Sequence, residues 1–182
     1  HIVILGGPGA VPESIAQQAR QTCGAENVER LAGSDRNATA RAIADRWFSV
    51  NGPTNRMYLT KNAGSGSPDA VAGSVLRDAP IITYTNEASI SAAQQFVAMR
   101  MPADQPAGAE LVALGGPGAV PDAVLQTVAN GAATQRFAGA NRYVTAFEIA
   151  KFAATDPART VAYVASGTAL KDAMVAGAAK DG

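Results

Sequence analysis

The sequence contains one cysteine, Cys23, and one histidine, His1. A single cysteine excludes an internal disulfide framework and a zinc site built from several cysteines, and a single terminal histidine excludes most histidine-based catalysis. Long apolar runs are also missing, so no segment has the length that crosses a bilayer. These absences predict a protein without a metal site and without a membrane span.

An excess of charge of one sign is missing as well. Lysine and arginine together number 15, and aspartate and glutamate also number 15, which gives a formal net charge of zero. No global electric field therefore draws the chain onto nucleic acid or an anionic membrane, and we expect neither as a partner. A charged ligand must be bound locally. Because 47% of the residues are hydrophobic, the chain can bury a core and fold as a globular protein.

Short apolar strands alternate with segments of helical periodicity. The first apolar run, Ile2 to Leu5, is typical of a parallel strand that is buried on both faces. Helices are predicted to begin near Pro12, at Asp35 or Asn37, and at Ser67, because these residue types suit a helix cap or first turn. Parallel strands need helical crossovers between them. The pattern predicts an α/β fold, with Rossmann-like parallel-sheet units and flanking helices in tandem.

The chain repeats two blocks in the same order. The first block, "GGPGAVP", stands at 6–12 and again at 115–121, and the second, "RLAGSDRNATARAIA", returns as "RFAGANRYVTAFEIA". A shorter similarity links "SPDAVAG" around Asp69 with "LKDAMVAG" around Asp172. The repeat period is too long for a solenoid unit and fits tandem small domains. We expect the intact protein to continue beyond this segment, and any signal sequence to lie outside it.

The order of these motifs resembles that of a known family. A strand ending in Gly-Gly, an Ala-Val helix start, an R-x-x-G-x-D-R-x-x-T-A turn, a Ser/Asp-Ala helix and a P-I-[IL]-x strand together resemble the bacterial cell wall binding repeat 2. The resemblance covers essentially the whole chain. The usual D-R-[YF] is Asp35-Arg36-Asn37 in one copy and Asn141-Arg142-Tyr143 in the other, so neither copy has both the acid and the aromatic residue. The family's P-I-L-L strand, which is linked to anchoring, is Pro80-Ile81-Ile82-Thr83 here.

The resemblance implies a function and a division into repeats. It implies non-catalytic units, without a cofactor, that attach a secreted surface protein non-covalently to a Gram-positive wall. The implied partners are an anionic wall polymer or peptidoglycan-linked glycan, and neighbouring repeats of the same chain, at an extracellular, wall-associated location. Counted from the R-x-x-G turn, residues 1–29 end one repeat, 30–135 form a complete repeat, and 136–182 start a further, incomplete one.

The arginines of the second block are the candidate ligand contacts. A guanidinium binds phosphate or carboxylate in bidentate geometry, so paired arginines around a glycine turn suit a polyanion. The same arginines also suit a purely structural role, in which they pair with carboxylates and hold the turn, and both interpretations stay open. The candidate polymer contacts are Arg30, Arg36, Arg136, Arg142, Asp35, Asn141, Gly33 and Gly139. The candidate turn and anchoring residues are Gly6, Gly7, Gly115, Gly116, Pro80, Ile81 and Ile82.

Structural rather than functional interpretations are favoured for the remaining motifs. The glycine turn suits a phosphate, but Pro12 stands where the third glycine of G-x-G-x-x-G is expected, and no Walker lysine follows. The positive end of a helix dipole accounts for Asp69 and Asp172. Two alternatives to a wall-binding module remain. One is a structural or assembly module of a surface layer. The other is a nucleotide-binding Rossmann-like enzyme fragment, which the missing nucleophile and base disfavour.

Overall fold

The computed structural model of the protein describes residues 1–62, 67–101, 108–155, 163–168, 170 and 173–174. Contacts divide the chain into two compact units, His1–Gly52 and Pro53–Gly182. The repeat boundaries predicted at 30 and 136 were counted from motifs, not from contacts, and that division stays a prediction. Helices alternate with strands in both units, and every strand pair in the described ranges is parallel, which confirms the α/β fold.

The first unit is a two-stranded parallel sheet with two α-helices. Its elements are β1 (Ile2–Leu5), α1 (Glu13–Cys23), β2 (Val28–Leu31) and α2 (Arg36–Asn51), with a 3-10 turn at Ala25–Asn27. The predicted cap at Asp35 is confirmed, because its carboxylate accepts a hydrogen bond from the N–H of Ala38 at 2.8 Å. Helix α2 ends at Gly52, whose φ of +83° favours glycine.

The second unit is a four-stranded parallel sheet with flanking helices. Its elements are β3 (Arg56–Lys61), α3 (Pro68–Gly73), β4 (Ile81–Tyr84), α4 (Glu87–Arg100), β5 (Glu110–Leu114), α5 (Asp122–Ala129), β6 (Ala133–Phe137) and α6 (Arg142–Ala153). The strand order in the sheet is β4-β3-β5-β6. Ser67 caps α3 and precedes a proline at the first helical turn, as the sequence predicts. Helices α3 and α6 pack against each other, and α4 packs against α5.

The core of the second unit lies between the sheet and its helices. A buried cluster joins one residue of β3 and two alternate residues of β5 to the segment after α3 and to α6, as expected where one face of a sheet packs on helices. The cluster consists of Tyr58, Leu76, Ala79, Val112, Leu114 and Ile149. Among the helices within the described ranges, none is both long enough and apolar enough to cross a membrane.

The strands β1 and β5 occupy the same position in the two copies of the repeat but have different surroundings. They pair with β2 and β6 in the same register: Ile2 lies opposite Val28 in the first sheet, and Leu111 opposite Thr134 in the second. The exposed fractions of three β1 residues are 36% at Ile2, 37% at Val3 and 53% at Leu5, whereas residues 111–114 of β5 are fully buried. The prediction that Ile2 to Leu5 is buried on both faces is therefore wrong. The reason is that β5 lies between β3 and β6 and also packs against helices α3 and α5, whereas β1 pairs only with β2 among the described residues.

Truncation of the same repeat position should have unequal effects in the two copies. Leu111→Ala removes a fully buried side chain, so we expect the free energy of unfolding of the second unit to fall by about 3 kcal/mol. Ile2→Ala changes a partly exposed side chain, so it should lower the free energy of unfolding of the first unit by less than about 1 kcal/mol. Urea unfolding followed by NMR on the amides of each strand measures both values. Equal losses would contradict the exposure of β1.

Candidate functional site

Each copy of the Gly-Gly-Pro-Gly sequence forms the same turn between a strand and a helix. Gly6 has a φ of +106° and Gly115 a φ of +110°, a region of backbone conformation that glycine enters without steric cost. The N–H of Gly6 donates to the carbonyl of Leu31 at 2.8 Å, and the N–H of Gly115 donates to the carbonyl of Phe137 at 2.9 Å. The first amide of each turn is thus used by the neighbouring strand and is not available to a phosphate.

The first arginine of each repeated block bonds to this glycine turn. Arg30 Nη1 donates to the Gly6 carbonyl at 2.7 Å, and Arg30 Nη2 donates to Glu13 Oε2 at 3.2 Å. The same arrangement recurs in the second copy, where Arg136 Nη1 donates to the Gly115 carbonyl at 2.6 Å. The Arg30 and Arg136 side chains are only 14% and 18% exposed. This geometry supports the structural role for these two arginines.

Arg136 makes two further contacts with the start of α5. Its Nη2 donates to the Val120 carbonyl at 2.8 Å and to Asp122 Oδ1 at 2.7 Å. Asp122 and its counterpart Glu13 are partners that the sequence analysis did not predict. A signal was present, because an acid directly follows the proline of "GGPGAVP" in both copies.

The second repeated block forms a cap turn, by which we mean residues 33–39 and 139–145. The N–H of Gly33 donates to Thr39 Oγ1 at 3.0 Å, and the N–H of Gly139 donates to Thr145 Oγ1 at 3.0 Å. In the second copy Asn141 replaces the capping aspartate, and its Oδ1 accepts hydrogen bonds from the N–H groups of residues 143 and 144. An amide oxygen therefore caps the helix as the carboxylate does.

The second arginine of each block lies at the first residue of a helix. Arg36 begins α2 and Arg142 begins α6, and both residues are exposed. Arg142 Nη1 donates to the carbonyl of Gly167 at 2.8 Å. A guanidinium has five N–H donors, and this one hydrogen bond uses only part of that capacity. These two arginines thus differ in exposure from Arg30 and Arg136.

The anchoring motif lies inside the second sheet. Ile82 is fully buried, and Ile81 packs against the core cluster. Pro80 is also buried, and its carbonyl accepts a hydrogen bond from the N–H of Tyr58 at 3.0 Å. These contacts hold β4 against β3.

The strand order brings the glycine turns and cap turns together. Because neighbouring strands are parallel, the glycine turn after β1 and the cap turn after β2 lie at one edge of the first sheet, and those after β5 and β6 lie at one edge of the second. We call this side of each sheet its carboxyl edge. In the described ranges no group of three or more His, Cys, Asp or Glu side chains is placed to hold a metal ion. Asp172 lies outside the described residues.

Arg136→Ala should destabilise the second unit, because it leaves two turn carbonyls without their donor. We expect the free energy of unfolding to fall by about 2 kcal/mol. Asp122→Asn is the matched control: the Asp122 side chain is 78% exposed, so loss of that ion pair should change stability by less than about 0.5 kcal/mol. Urea unfolding of both variants checks this, and equal losses would show that the ion pair matters more than the carbonyl bonds.

The pKa of Glu13 should depend on its neighbour Arg20. The hydrogen bond from Arg20 lowers the pKa of Glu13, and Arg30 adds a smaller contribution in the same direction. Because the pKa of Glu13 is lower in the folded protein than in the unfolded chain, its carboxylate stabilises the fold at pH values above the unfolded pKa. This contribution is lost as the pH falls through the folded pKa. Arg20→Ala should raise the Glu13 pKa towards its usual range in a carboxyl NMR titration. The control Arg46→Ala, which removes an equal charge elsewhere, should leave the pKa unchanged, and an equal rise in both variants would contradict the assignment.

Comparison with known proteins relates this geometry to a family. A sequence model of cell wall binding domain 2 matches residues 30–125, which is more than half of the chain. Among solved structures, Cwp8 from Clostridium difficile is similar, with a TM-score of 0.60 and 25% identity over 81% of this chain and 23% of Cwp8. Cwp6 from the same organism has a similar fold, with a TM-score of 0.65 and 22% identity over 85% of this chain and 24% of Cwp6.

The chain spans about a quarter of the length of each of these two proteins. A comparison with curated protein sequences gave no match. The family match covers the first copy of the second repeated block, the buried anchoring motif and the second glycine turn. The chain therefore belongs to the cell wall binding domain 2 family.

Proposed function

We propose that this chain is a non-catalytic module that attaches a secreted surface protein, non-covalently, to an anionic polymer of a Gram-positive cell wall. The observation that carries the proposal is the family match over residues 30–125. The balanced charge of the chain is consistent with binding at local sites, because no global field attracts a polyanion.

The two arginine pairs divide between two roles in this proposal. Arg30 and Arg136 hold the glycine turns, because their side chains are mostly buried and bond to turn carbonyls. Arg36 and Arg142 contact the polymer, because they are exposed at helix starts on the carboxyl edge. Each is a cation that suits a phosphate or carboxylate of the polymer. Single sites of this kind are weak, and their tethering in tandem repeats raises the overall affinity.

Assembly with neighbouring repeats is the second candidate function. It is favoured by β1, whose three exposed apolar residues occupy positions that are buried in the second copy, where the corresponding strand β5 also pairs with β3. A strand with one unpaired edge and an exposed apolar face suits pairing with another strand. In this proposal a neighbouring repeat supplies a parallel strand like β3, and residues 1–29, 30–135 and 136–182 are parts of successive repeats.

Binding of the chain to wall sacculi tests the main proposal. We expect the chain to sediment with sacculi that carry their anionic polymers and to stay in solution when those polymers have been stripped chemically. Retention should fall as salt rises from low to molar concentrations, because exposed ion pairs are screened. Equal retention by stripped and unstripped sacculi, or none at all, would contradict polymer binding and favour the assembly role.

Substitution of Arg142 tests which arginines bind. Arg142→Ala should reduce retention several-fold while leaving the urea midpoint nearly unchanged, because the exposed guanidinium has one hydrogen bond to a carbonyl among the described residues. Lys151→Ala is the matched control, since Lys151 is 70% exposed and its nearest carboxylate oxygen lies 3.9 Å away. An equal loss in both variants would show that only net charge matters.

A further inference from the structure

Helix α6 runs from the carboxyl edge of the second sheet to the opposite edge. It begins with Arg142 at the carboxyl edge. Its last turn contains Phe152, whose ring centroid lies 5.3 Å from the guanidinium carbon of Arg56, the first residue of β3. The strands of a parallel sheet all begin at one edge, which we call the amino edge. Because the helix spans the sheet, the position of Arg142 depends on how the far end of α6 is held.

Arg56 joins four parts of the second unit at this amino edge. Its Nε donates to Glu110 Oε2 on β5 at 2.7 Å, and its Nη1 donates to Asp78 Oδ2, between α3 and β4, at 3.0 Å. The hydroxyl of the buried Tyr58 also donates to Asp78, at 3.0 Å. The guanidinium lies over the ring of Phe152 on α6. We call Arg56, Asp78, Glu110 and Phe152 the amino-edge cluster.

The contacts of this cluster are more constrained than those of an isolated surface ion pair. The Arg56 side chain is 29% exposed and bonds to two carboxylates at once. Single exposed pairs contribute little to stability, whereas charges in a network with defined geometry contribute more. The guanidinium over an aromatic ring adds a cation–π attraction. Phe152 also packs against Phe137 of β6, with ring centroids 4.9 Å apart. Side chains of two strands therefore hold the end of α6.

The first copy of the repeat holds the corresponding helix by different chemistry. Aligned from the second repeated block onward, Phe152 corresponds to Arg46 of α2. Arg46 Nε donates to Glu29 Oε2 on β2 at 2.9 Å. In both copies, therefore, a side chain at this position attaches the helix to the strand that precedes it. The residue types differ while the attachment is kept, which indicates that the fixed direction of the helix is what matters.

We propose that Arg56 is a positioning residue for Arg142: by holding the end of α6 at the amino edge, it sets the direction of the helix and the place of the Arg142 guanidinium at the carboxyl edge. The inference rests on the proposed role of Arg142 and adds a residue that does not itself contact the polymer. Ile149 is fully buried between the two ends and acts as a pivot. Arg142 lies about 10 Å along the helix from it, so a tilt of about 10° would move Arg142 by about 2 Å.

Arg56→Lys tests this role, because lysine keeps the charge but not the planar group that bonds to two carboxylates and stacks on the ring. We expect the residual dipolar couplings of the α6 amides to change relative to those of the sheet. Retention by wall sacculi should fall about threefold, because a helix that tilts must be ordered on binding. In an Arg142→Ala background the same substitution should leave retention unchanged, since Arg56 acts through Arg142. Phe152→Leu, which removes only the ring, should change the couplings in the same direction.

Leu111→Ala is the control for stability. Leu111 is fully buried but alternates with Val112 and Leu114, so it lies on the sheet face opposite to α6. The folded control should keep the α6 couplings and the retention of the unsubstituted chain. The inference is overturned if Arg56→Lys leaves the α6 couplings unchanged, or if its loss of retention is the same with and without Arg142. If sacculi do not retain even the unsubstituted chain, the proposed function fails, and the couplings alone decide the positioning role.

Discussion

The structure depends on one repeated interaction, the hydrogen bond from an arginine guanidinium to the carbonyl of a left-handed glycine. In each copy this bond joins the end of one strand to the next strand, and the N–H of the same glycine donates in return to a carbonyl of that next strand. The acid at the start of the intervening helix, Glu13 or Asp122, accepts a hydrogen bond from the same guanidinium. Strand, turn, helix and second strand are thus held by one side chain, and a buried guanidinium so used has little capacity left for a ligand.

This constraint divides four similar arginines into two kinds. The side chains of Arg30 and Arg136 are mostly buried, whereas Arg36 and Arg142 are exposed. Each exposed arginine is the first residue of a helix at the same carboxyl edge. In the proposed function, the mostly buried arginines fix the geometry of this edge, and the exposed arginines supply local positive charge on a chain whose formal net charge is zero.

Much of this was predictable from the sequence, and the remainder needed the pairing of strands. The helix caps at Asp35 and Ser67 followed from local chemistry, and the tandem arrangement followed from the repeated blocks. The hydrogen bonds of Arg136 could not be predicted from the sequence, because their carbonyl acceptors are defined only once β5 and β6 are in register. The exposure of β1 was mispredicted, since similar apolar runs are buried or exposed according to the strands and helices that pack around them. The packing of the Asp69 carboxylate on Gly115 was not predictable either, because the two residues are distant in sequence and adjacent only through the strand order.

The central claim is that the two kinds of arginine behave differently towards the polymer. Nitrogen NMR spectra of the guanidinium groups, recorded with and without soluble anionic polymer released from walls, test it most directly. We predict resolved, slowly rotating Nη groups for Arg30 and Arg136 that are unchanged by the polymer, and averaged Nη signals for Arg142 that shift on its addition. Shifts of Arg30 and Arg136 at the same polymer concentration as those of Arg142 would contradict the account.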